Sequence, residues 1–465
     1  MLKLTNTLTG VQEEFSPLDD SGIRMYVCGP TVHDFVHIGN FRTFVFQDVL
    51  RRHIKSKGWK LRQVMNITDV DDKIIRKALA AGVDIKTYTG QYIQSFLEDS
   101  DKLGIERPEV IARATDHVPE MVELVKRLLD KGHAYREGES IYFRISSFAD
   151  YGRLARLDKS QLKVGARVEV DEYEKESPQD FVLWKAPKEE DEPSWDTEIG
   201  VGRPGWHLEC SAMAMKYLGE SFDLHCGGVD LVFPHHENEI AQSQAATGAP
   251  FVRFWIHSEF LKVEGEKMSK STGNFYRLRD LLDKGFDPLA IRYLLVAVPY
   301  RKQLNFTFDG LHQANQSLGR IQDFLFRLDE TSVGAGESTA MREALERART
   351  QFEAGLDDDL NTAQALAAVF DLIRAANTAL DGGELREDNR DAIRSWFVEV
   401  DSRLGIVPQA GESQGLDEEI GSLIAQRNKA RADRDFALAD KVRQQLSDMN
   451  VIIEDTREGT RWRHK

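Results

Sequence analysis

Only three of the 465 residues are cysteine, Cys28, Cys210 and Cys226. So few, so scattered and odd in number, they exclude a disulfide framework and fit a reducing compartment. No apolar run approaches the roughly 18 residues that a membrane span needs. The opening MLKLTNTLTG also lacks the basic-then-apolar order of a secretion signal. A soluble, cytoplasmic protein with no membrane partner is expected. A surplus of positive charge is missing too: 61 Lys and Arg stand against 77 Asp and Glu, a formal charge of -16. That argues against a general nucleic-acid coat and against DNA, because nonspecific binding comes from basic side chains neutralising phosphates. The balance reverses locally. From Arg427 to Lys465 ten basic residues face seven acidic ones, so a polyanion is expected at the C-terminal end. Repeats and low-complexity tracts are absent.

What is present is length, about three times that of a usual domain. Apolar stretches at 23–32 and 61–67 flank a segment, 41–57, of helical length with few breakers. This is a strand-helix-strand unit whose long crossover makes the strands parallel, and ligands bind at the C-terminal edge of such sheets. The pattern resumes at 222–225, followed by a Gly-Gly turn, a helix expected over 234–248 and the strand-like FVRFWIH. Between the halves, 118–204 mixes a helical VPEMVELVKRLLDKG with strand-like SIYFRI and ARVEVDEY and an acidic APKEEDEPSWD, which reads as an insertion. Beyond Asp287 the pattern turns helical, with amphipathic segments at 309–330, 339–382 and 387–404. A linker, GIVPQAGESQG, precedes a last unit containing NKARADRDFALADKVRQQL and the strand-like VIIED. The expected fold class is α/β: a Rossmann-type parallel sheet split by an α+β insertion, then a helical bundle and a small C-terminal domain.

Two motifs carry phosphate chemistry. His37-Ile38-Gly39-Asn40 stands where a strand gives way to a helix N-terminus, whose free amides and positive dipole end suit phosphate oxygens. Lys267-Met268-Ser269-Lys270-Ser271, with Thr272-Gly273-Asn274 after it, is a glycine-flanked cationic loop suited to a triphosphate. Either alone reads equally as capping or as a solvated loop. In this order, and more than 200 residues apart, the pair resembles the signatures of class I aminoacyl-tRNA synthetases. The resemblance implies that His37 and Asn40 stabilise the phosphate region and that Lys267 and Lys270 hold the leaving pyrophosphate. Many members carry a second histidine where this chain has Asn40, and an amide still donates to phosphate.

A third constellation, His235-His236-Glu237-Asn238-Glu239, places imidazole and carboxylate four apart, a spacing that with cysteine thiolates completes a tetrahedral zinc site. Spacing alone leaves open which of the three cysteines and which of the two histidines take part, and equally a solvated helical face. The segments YVCGPTVHDFVHIGN, NITDVDDKII, PGWHLECSAMAMKYLG, FDLHCGGVDLVFPHHENEIAQ, GEKMSKSTGNF and the tail DFALADKVRQQL through GTRW resemble the cysteinyl-tRNA synthetase family across nearly the whole chain.

That resemblance implies one zinc ion per chain on Cys28, Cys210, His235 and Glu239, with Cys226 a packing residue and His236 beside the ligands or the substrate. Zinc has a physical reason to be there. Cysteine and serine differ by one atom, and a pocket measuring volume gives only about 1–3 kcal/mol of discrimination. A zinc ion distinguishes soft thiolate from hydroxyl. The resemblance further implies that Cys28, Gly29, Asn66, Thr68, Trp206 and His225 bind cysteine. Gly29, Thr31, His37, Asn40, Thr43, Gly228, Asp230 and Lys270 would bind ATP, which enters with Mg²⁺. It divides the chain into catalytic halves at 1–117 and 205–257 around the 118–204 insertion that holds the acceptor end. A KMSKS and stem-contact region would cover 258–308, a helical bundle 309–404, a linker 405–416 and an anticodon-binding domain 417–465. Expected partners are tRNA(Cys), ATP and L-cysteine, with a monomeric enzyme. A mycothiol-pathway ligase shares the adenylate chemistry but lacks the C-terminal region. A zinc hydrolase would need an open position for water, and a non-enzymatic tRNA-binding protein would leave both phosphate motifs without a use.

Overall fold

The computed structural model describes residues 1–157, 180–189, 192–269, 273–408, 414–449, 451–456 and 459–464. The strand-like ARVEVDEY and Lys270, Ser271 and Thr272 lie outside them. The chain divides into two compact units, Met1–Val407 and Pro408–Lys465.

At the centre of the first unit five parallel strands run, across the sheet, Val252–Ser258, Phe222–Gly228, Ile23–Val27, Leu61–Ile67 and Val110–Arg113. Chain order therefore reverses between Ile23–Val27 and Phe222–Gly228, and the crevice at the C-terminal end of that pair is where doubly wound sheets bind ligands. The register is fixed by Leu224 beside Met25, His225 beside Tyr26 and Cys226 beside Val27.

Side-chain alternation along these strands divides the core in two. Met25, Val27, Leu224, Cys226, Phe254 and Ile256 pack with the apolar side of the helix Ile38–Ser56. Tyr26, Cys28 and Trp255 pack on the opposite face with the helices Val118–Asp130, Trp206–Leu218 and Glu237–Thr247. Placement on a face thus follows parity.

Antiparallel strands Ala134–Glu137, Ser140–Phe143, Phe181–Lys185 and Arg203–Pro204 form a separate four-stranded sheet. Asp72, at the start of the helix Asp72–Ala81, pairs with both Lys185 (2.8 Å) and Arg203 (2.5 Å) and ties that sheet to the helix that follows the strand Leu61–Ile67. After the central sheet come the short strands Leu261–Val263, Glu266–Lys267 and Leu304–Phe306, then the helices Phe308–Glu330, Thr339–Asp357, Thr362–Asp381 and Glu387–Leu404.

The amphipathic stretch read as continuous over 339–382 is two helices. Asp359 and Leu360 adopt positive φ of 54° and 53° at the break, and Asn361 caps the second helix by accepting from Gln364 N. Asp359 stays in place because it accepts from Thr5 N at 2.8 Å and from Tyr300 at 2.6 Å.

The second unit contains the helices Gln414–Ala432 and Phe436–Asp448 and the antiparallel pair Val451–Thr456 and Gly459–His464. Ile420, Ile424, Val442, Leu446 and Val451 form its core.

Candidate active site and metal centre

The loop from Val27 to Ile38 leaves the strand on one face of the sheet and enters the helix on the other, and it carries both ends of the site. At its far end His37 is the N-cap of the helix Ile38–Ser56: its Nδ1 accepts from Asn40 N at 3.2 Å. Capping is therefore part of what this histidine does, and it fixes the ring over the helix start. Gly39 leaves little room for a side chain. A Cβ there would stand 2.9 Å from Met268 Cε and 3.0 Å from the His37 ring, so the two signature motifs meet at this point. Ile38 N donates to Tyr276 O (3.0 Å), and the His37 ring packs edge-on against Phe275 at 5.2 Å. Asn274 pins the cationic loop at its base, accepting from Ser269 N (2.8 Å) and donating to Lys267 O (3.2 Å). Lys267 is exposed.

Gly228 and Asp230 lie at the end of the strand Phe222–Gly228, and Asp230 is exposed. A Cβ on Gly228 would collide with the Asp230 carboxylate and approach Thr43 Oγ1, which itself bonds Ser258 Oγ at 2.8 Å. Gly228, Asp230 and Thr43 are thereby neighbours. On the adjacent strand Gly29 N donates to Asn66 Oδ1 (2.8 Å), and a Cβ on Gly29 would overlap the Asn66 carbonyl. Thr68 pairs with Thr31 in an isolated bridge. The neighbouring Asp69 carboxylate is spent inside the fold, accepting from Thr115 N and Oγ1.

On the other face, Cys28, Cys210, His235 and Glu239 bring four ligand atoms within 4.8 Å of one another, all buried. A second set within the same limit replaces Cys210 and His235 by His225 and His236. The helix expected over 234–248 is an irregular turn, Val232–His236, followed by a regular helix, Glu237–Thr247. Phe233 is extended (φ -137°, ψ 133°) and breaks it. His235 nonetheless reaches Glu239, Nε2 to Oε1 at 3.1 Å. Cys28 Sγ lies 3.2 Å from His236 Nε2, whose Nδ1 is 2.7 Å from His257 Nε2.

Glu239 Oε2 is 2.9 Å from His225 Nε2, whereas its Oε1, fully buried, has the 3.1 Å approach of His235 Nε2, which lacks hydrogen-bond geometry. A buried carboxylate oxygen left in this way is costly unless a cation takes it. Burial raises Glu239 well above the usual carboxyl range, and burial followed by the neighbouring Cys210 raises the Cys28 thiol. Burial also holds His235 and His236 neutral, the form in which imidazole binds metal. The donor set fits zinc in number and chemistry. A third group, His53, Glu353 and Asp357, is different in kind: Lys57 Nζ sits 2.5 Å from Asp357 and pairs with Glu353, so the charge is already met.

Trp206 stacks on His235, ring centroids 4.3 Å apart, and remains 39% exposed. It walls the candidate metal set instead of filling the core. Cys226 is buried on the opposite face of the sheet. Sequence reasoning missed His207, His257 and Glu209. His207 Nδ1 lies 2.9 Å from His235 Nδ1, and burial lowers His207 to about 3. His257 alternates with Trp255 along one strand face, a signal that was present.

Comparison with known proteins agrees with this geometry. Residues 14–316 match the tRNA synthetases class I (C) catalytic domain, 351–407 the DALR domain, and 413–463 the cysteinyl-tRNA ligase anticodon binding domain. The cysteine–tRNA ligase of Solibacter usitatus is 53% identical over 465 residues, covering 100% of both chains. That of Koribacter versatilis is 48% identical, with the same coverage of both chains. The Leptospira interrogans protein of the same description is 46% identical and covers 100% of this chain and 99% of its own. Among solved structures, Mycobacterium tuberculosis methionyl-tRNA synthetase in complex with methionyl-adenylate superimposes with a TM-score of 0.60 at 19% identity, covering 80% of this chain and 87% of that one. At that identity the likeness establishes the class I fold alone. From catalytic sheet to C-terminal unit, the chain belongs to the cysteinyl-tRNA synthetase family.

Proposed function

We propose that the chain activates L-cysteine with ATP, releasing pyrophosphate, and transfers the cysteine to the terminal ribose of tRNA(Cys). The observation that carries this reading is the buried set Cys28, Cys210, His235 and Glu239, one strand-to-helix loop away from His37 and Asn40. Those four residues would hold one zinc ion, which would supply a partner that prefers the substrate thiolate to a serine hydroxyl. His225 is a positioning residue for this set: with Nε2 committed to Glu239 Oε2, it would hold the carboxylate in place and leave His235 as the imidazole ligand. Trp206 forms the outer wall of the cysteine pocket.

Activation is an in-line attack of the cysteine carboxylate on the α-phosphate, so the chain must meet charge developing on phosphate oxygens with fixed donors. His37, held over the helix start by its own cap, and Asn40, one turn in, supply those donors. The positive end of the helix Ile38–Ser56 adds to them. Lys267 and Lys270 neutralise the leaving pyrophosphate, and Met268 against Gly39 brings their loop to the phosphates. Asp230 accepts from a ribose hydroxyl, Gly228 and Gly29 give backbone access, and Thr31 and Thr43 line the nucleotide. ATP enters with Mg²⁺. The enzyme acts in the cytoplasm as a monomer, which size-exclusion chromatography with light scattering checks.

The full-length relatives and the matched anticodon binding domain favour tRNA over an amino-sugar acceptor. Cysteine-dependent exchange of pyrophosphate into ATP, run beside charging of purified tRNA(Cys), tests both halves of the reaction. Exchange without charging would move the acceptor to another molecule. Exchange with serine as readily as with cysteine would remove the metal's proposed role.

A further inference from the structure

A chain of hydrogen bonds beside the candidate metal set ends at Glu209, a residue with no use in the mechanism above. It begins at a donor whose direction is unambiguous, Gly29 N, which donates to Asn66 Oδ1 at 2.8 Å. That fixes the amide, so Asn66 Nδ2 donates to Thr68 Oγ1 at 3.2 Å. Thr68 must then send its own proton elsewhere, and it donates to Glu209 Oε2 at 2.9 Å. A hydroxyl has one proton and two lone pairs. With the proton spent on Glu209 and one lone pair on Asn66, what remains on Thr68 Oγ1 is an acceptor.

The place matters as much as the polarity. Thr68 is clamped by its backbone to the loop between the two ends of the site, with Val32 N donating to Thr68 O and Thr68 N to Pro30 O, both at 3.1 Å. Gly29, where the network starts, follows Cys28 in sequence, and Glu209, where it ends, precedes Cys210. Thr68, at 1% exposure, is as closed off as the metal ligands. Glu209 is fully buried, and its Oε1 has no hydrogen-bond partner among the described residues. A cysteine bound with its sulfur at the Cys28 and Cys210 set and its carboxylate toward His37 would place its ammonium between them.

We propose that Glu209 is a positioning residue for the substrate's α-ammonium: it accepts the hydrogen bond of the Thr68 hydroxyl, so that Thr68 Oγ1 meets the ammonium as an acceptor. This rests on the cysteine-activating reading and deepens it. It assigns the amino end of the substrate to a residue that reaches it only through another.

The test compares three thiols by calorimetric titration of the zinc-loaded enzyme: L-cysteine, cysteamine, which keeps the ammonium and lacks the carboxylate, and 3-mercaptopropionate, which keeps the carboxylate and lacks the ammonium. All three carry the sulfur, so the metal's contribution cancels. In Glu209→Gln the new amide can donate to Thr68 and reverse its hydroxyl. Kd for cysteine and cysteamine should rise together by about tenfold to a hundredfold, the range for a hydrogen bond to a charged group, while 3-mercaptopropionate changes by less than about twofold. Thr68→Val, which keeps the shape and removes the acceptor, should give the same split. Equal weakening of all three thiols would make Glu209 a packing residue and overturn the proposal. So would weakening confined to cysteine and 3-mercaptopropionate, which would assign Thr68 to the carboxylate. A wild-type enzyme without cysteine-dependent exchange would instead defeat the activating function itself.

Discussion

Replacing His225 by phenylalanine isolates one hydrogen bond in the metal centre. The ring stacks on Trp255 with centroids 4.5 Å apart and planes 20° from parallel, and it lies 4.4 Å from the His236 ring. Phenylalanine keeps that packing. It removes the 2.9 Å bond to Glu239 Oε2, after which the fully buried carboxylate keeps the 3.1 Å approach of His235 Nε2 to Oε1. A bond to a charged group contributes about 1.5–3 kcal/mol. Because that bond orients the ligand oxygen, the loss appears as zinc affinity weakened by roughly 10- to 150-fold. The figure overlaps the about 10- to 100-fold known for partners that orient metal ligands in general. The assay is competition for zinc against a chromogenic chelator of known affinity, with near-ultraviolet circular dichroism to confirm the fold. Zinc affinity unchanged within about twofold in a folded variant would refute the assignment. It would equally exclude His225 from the alternative set with Cys28, His236 and Glu239.

Three further outcomes are expected. Cys28→Ser should lower zinc content and cysteine-dependent pyrophosphate exchange together, and full activity in a zinc-free preparation would remove the metal's role. Gly39→Val puts a branched side chain where even a Cβ would meet Met268 and the His37 ring. Displacing the phosphate donors by about 1 Å should cut kcat for exchange by about a hundredfold with little change in KM for cysteine, as single-turnover kinetics would show. Burial lowers the His53 pKa below its ordinary 6.5 despite Asp357 at 2.9 Å, so below about pH 6.5 the unfolded chain gains a proton that the folded chain resists. Asp357, where His53 and Lys57 together outweigh burial and lower the carboxyl, adds a loss only below its ordinary 3.8. Urea midpoints should therefore fall between pH 7 and 5 more steeply in the wild type than in His53→Gln, and equal slopes would contradict this.

The sheet was readable from sequence because its strands are short apolar runs bounded by turn residues, and the structure returns 61–67 at the expected boundaries. The four proposed ligand side chains were named only through resemblance. Spacing offered three cysteines and two histidines without a way to choose. The turn at Val232–His236 was hidden because HHENE has the composition of a helix start, and the extended Phe233 depends on surroundings that a periodicity does not encode. Glu209 and His257 were hidden for another reason. Their partners, Thr68 and Thr7, lie 141 and 250 residues away in sequence, so only tertiary structure joins them.

One choice that spacing left open yields to parity once the register is known. His225 and Cys226 are consecutive on a strand, so they face opposite sides of the sheet, and a metal centre can take only one of them. Pairing His225 with Tyr26 and Cys226 with Val27 puts the imidazole on the face of Cys28 and the sulfur among Phe254, Ile256 and the helix Ile38–Ser56. A slip of one residue between these strands would exchange them, bringing a third thiol to the metal set and sending the partner of Glu239 into the apolar core. The register is held from both sides, by Phe222–Gly228 against Val252–Ser258 and by Ile23–Val27 against Leu61–Ile67, and at the loop itself by Cys28 N donating to Cys226 O at 3.1 Å. Cys226 is thus kept from the metal by strand pairing. Converting it to serine should leave zinc binding intact, and Cys28 and Cys210 cannot be replaced in the same way.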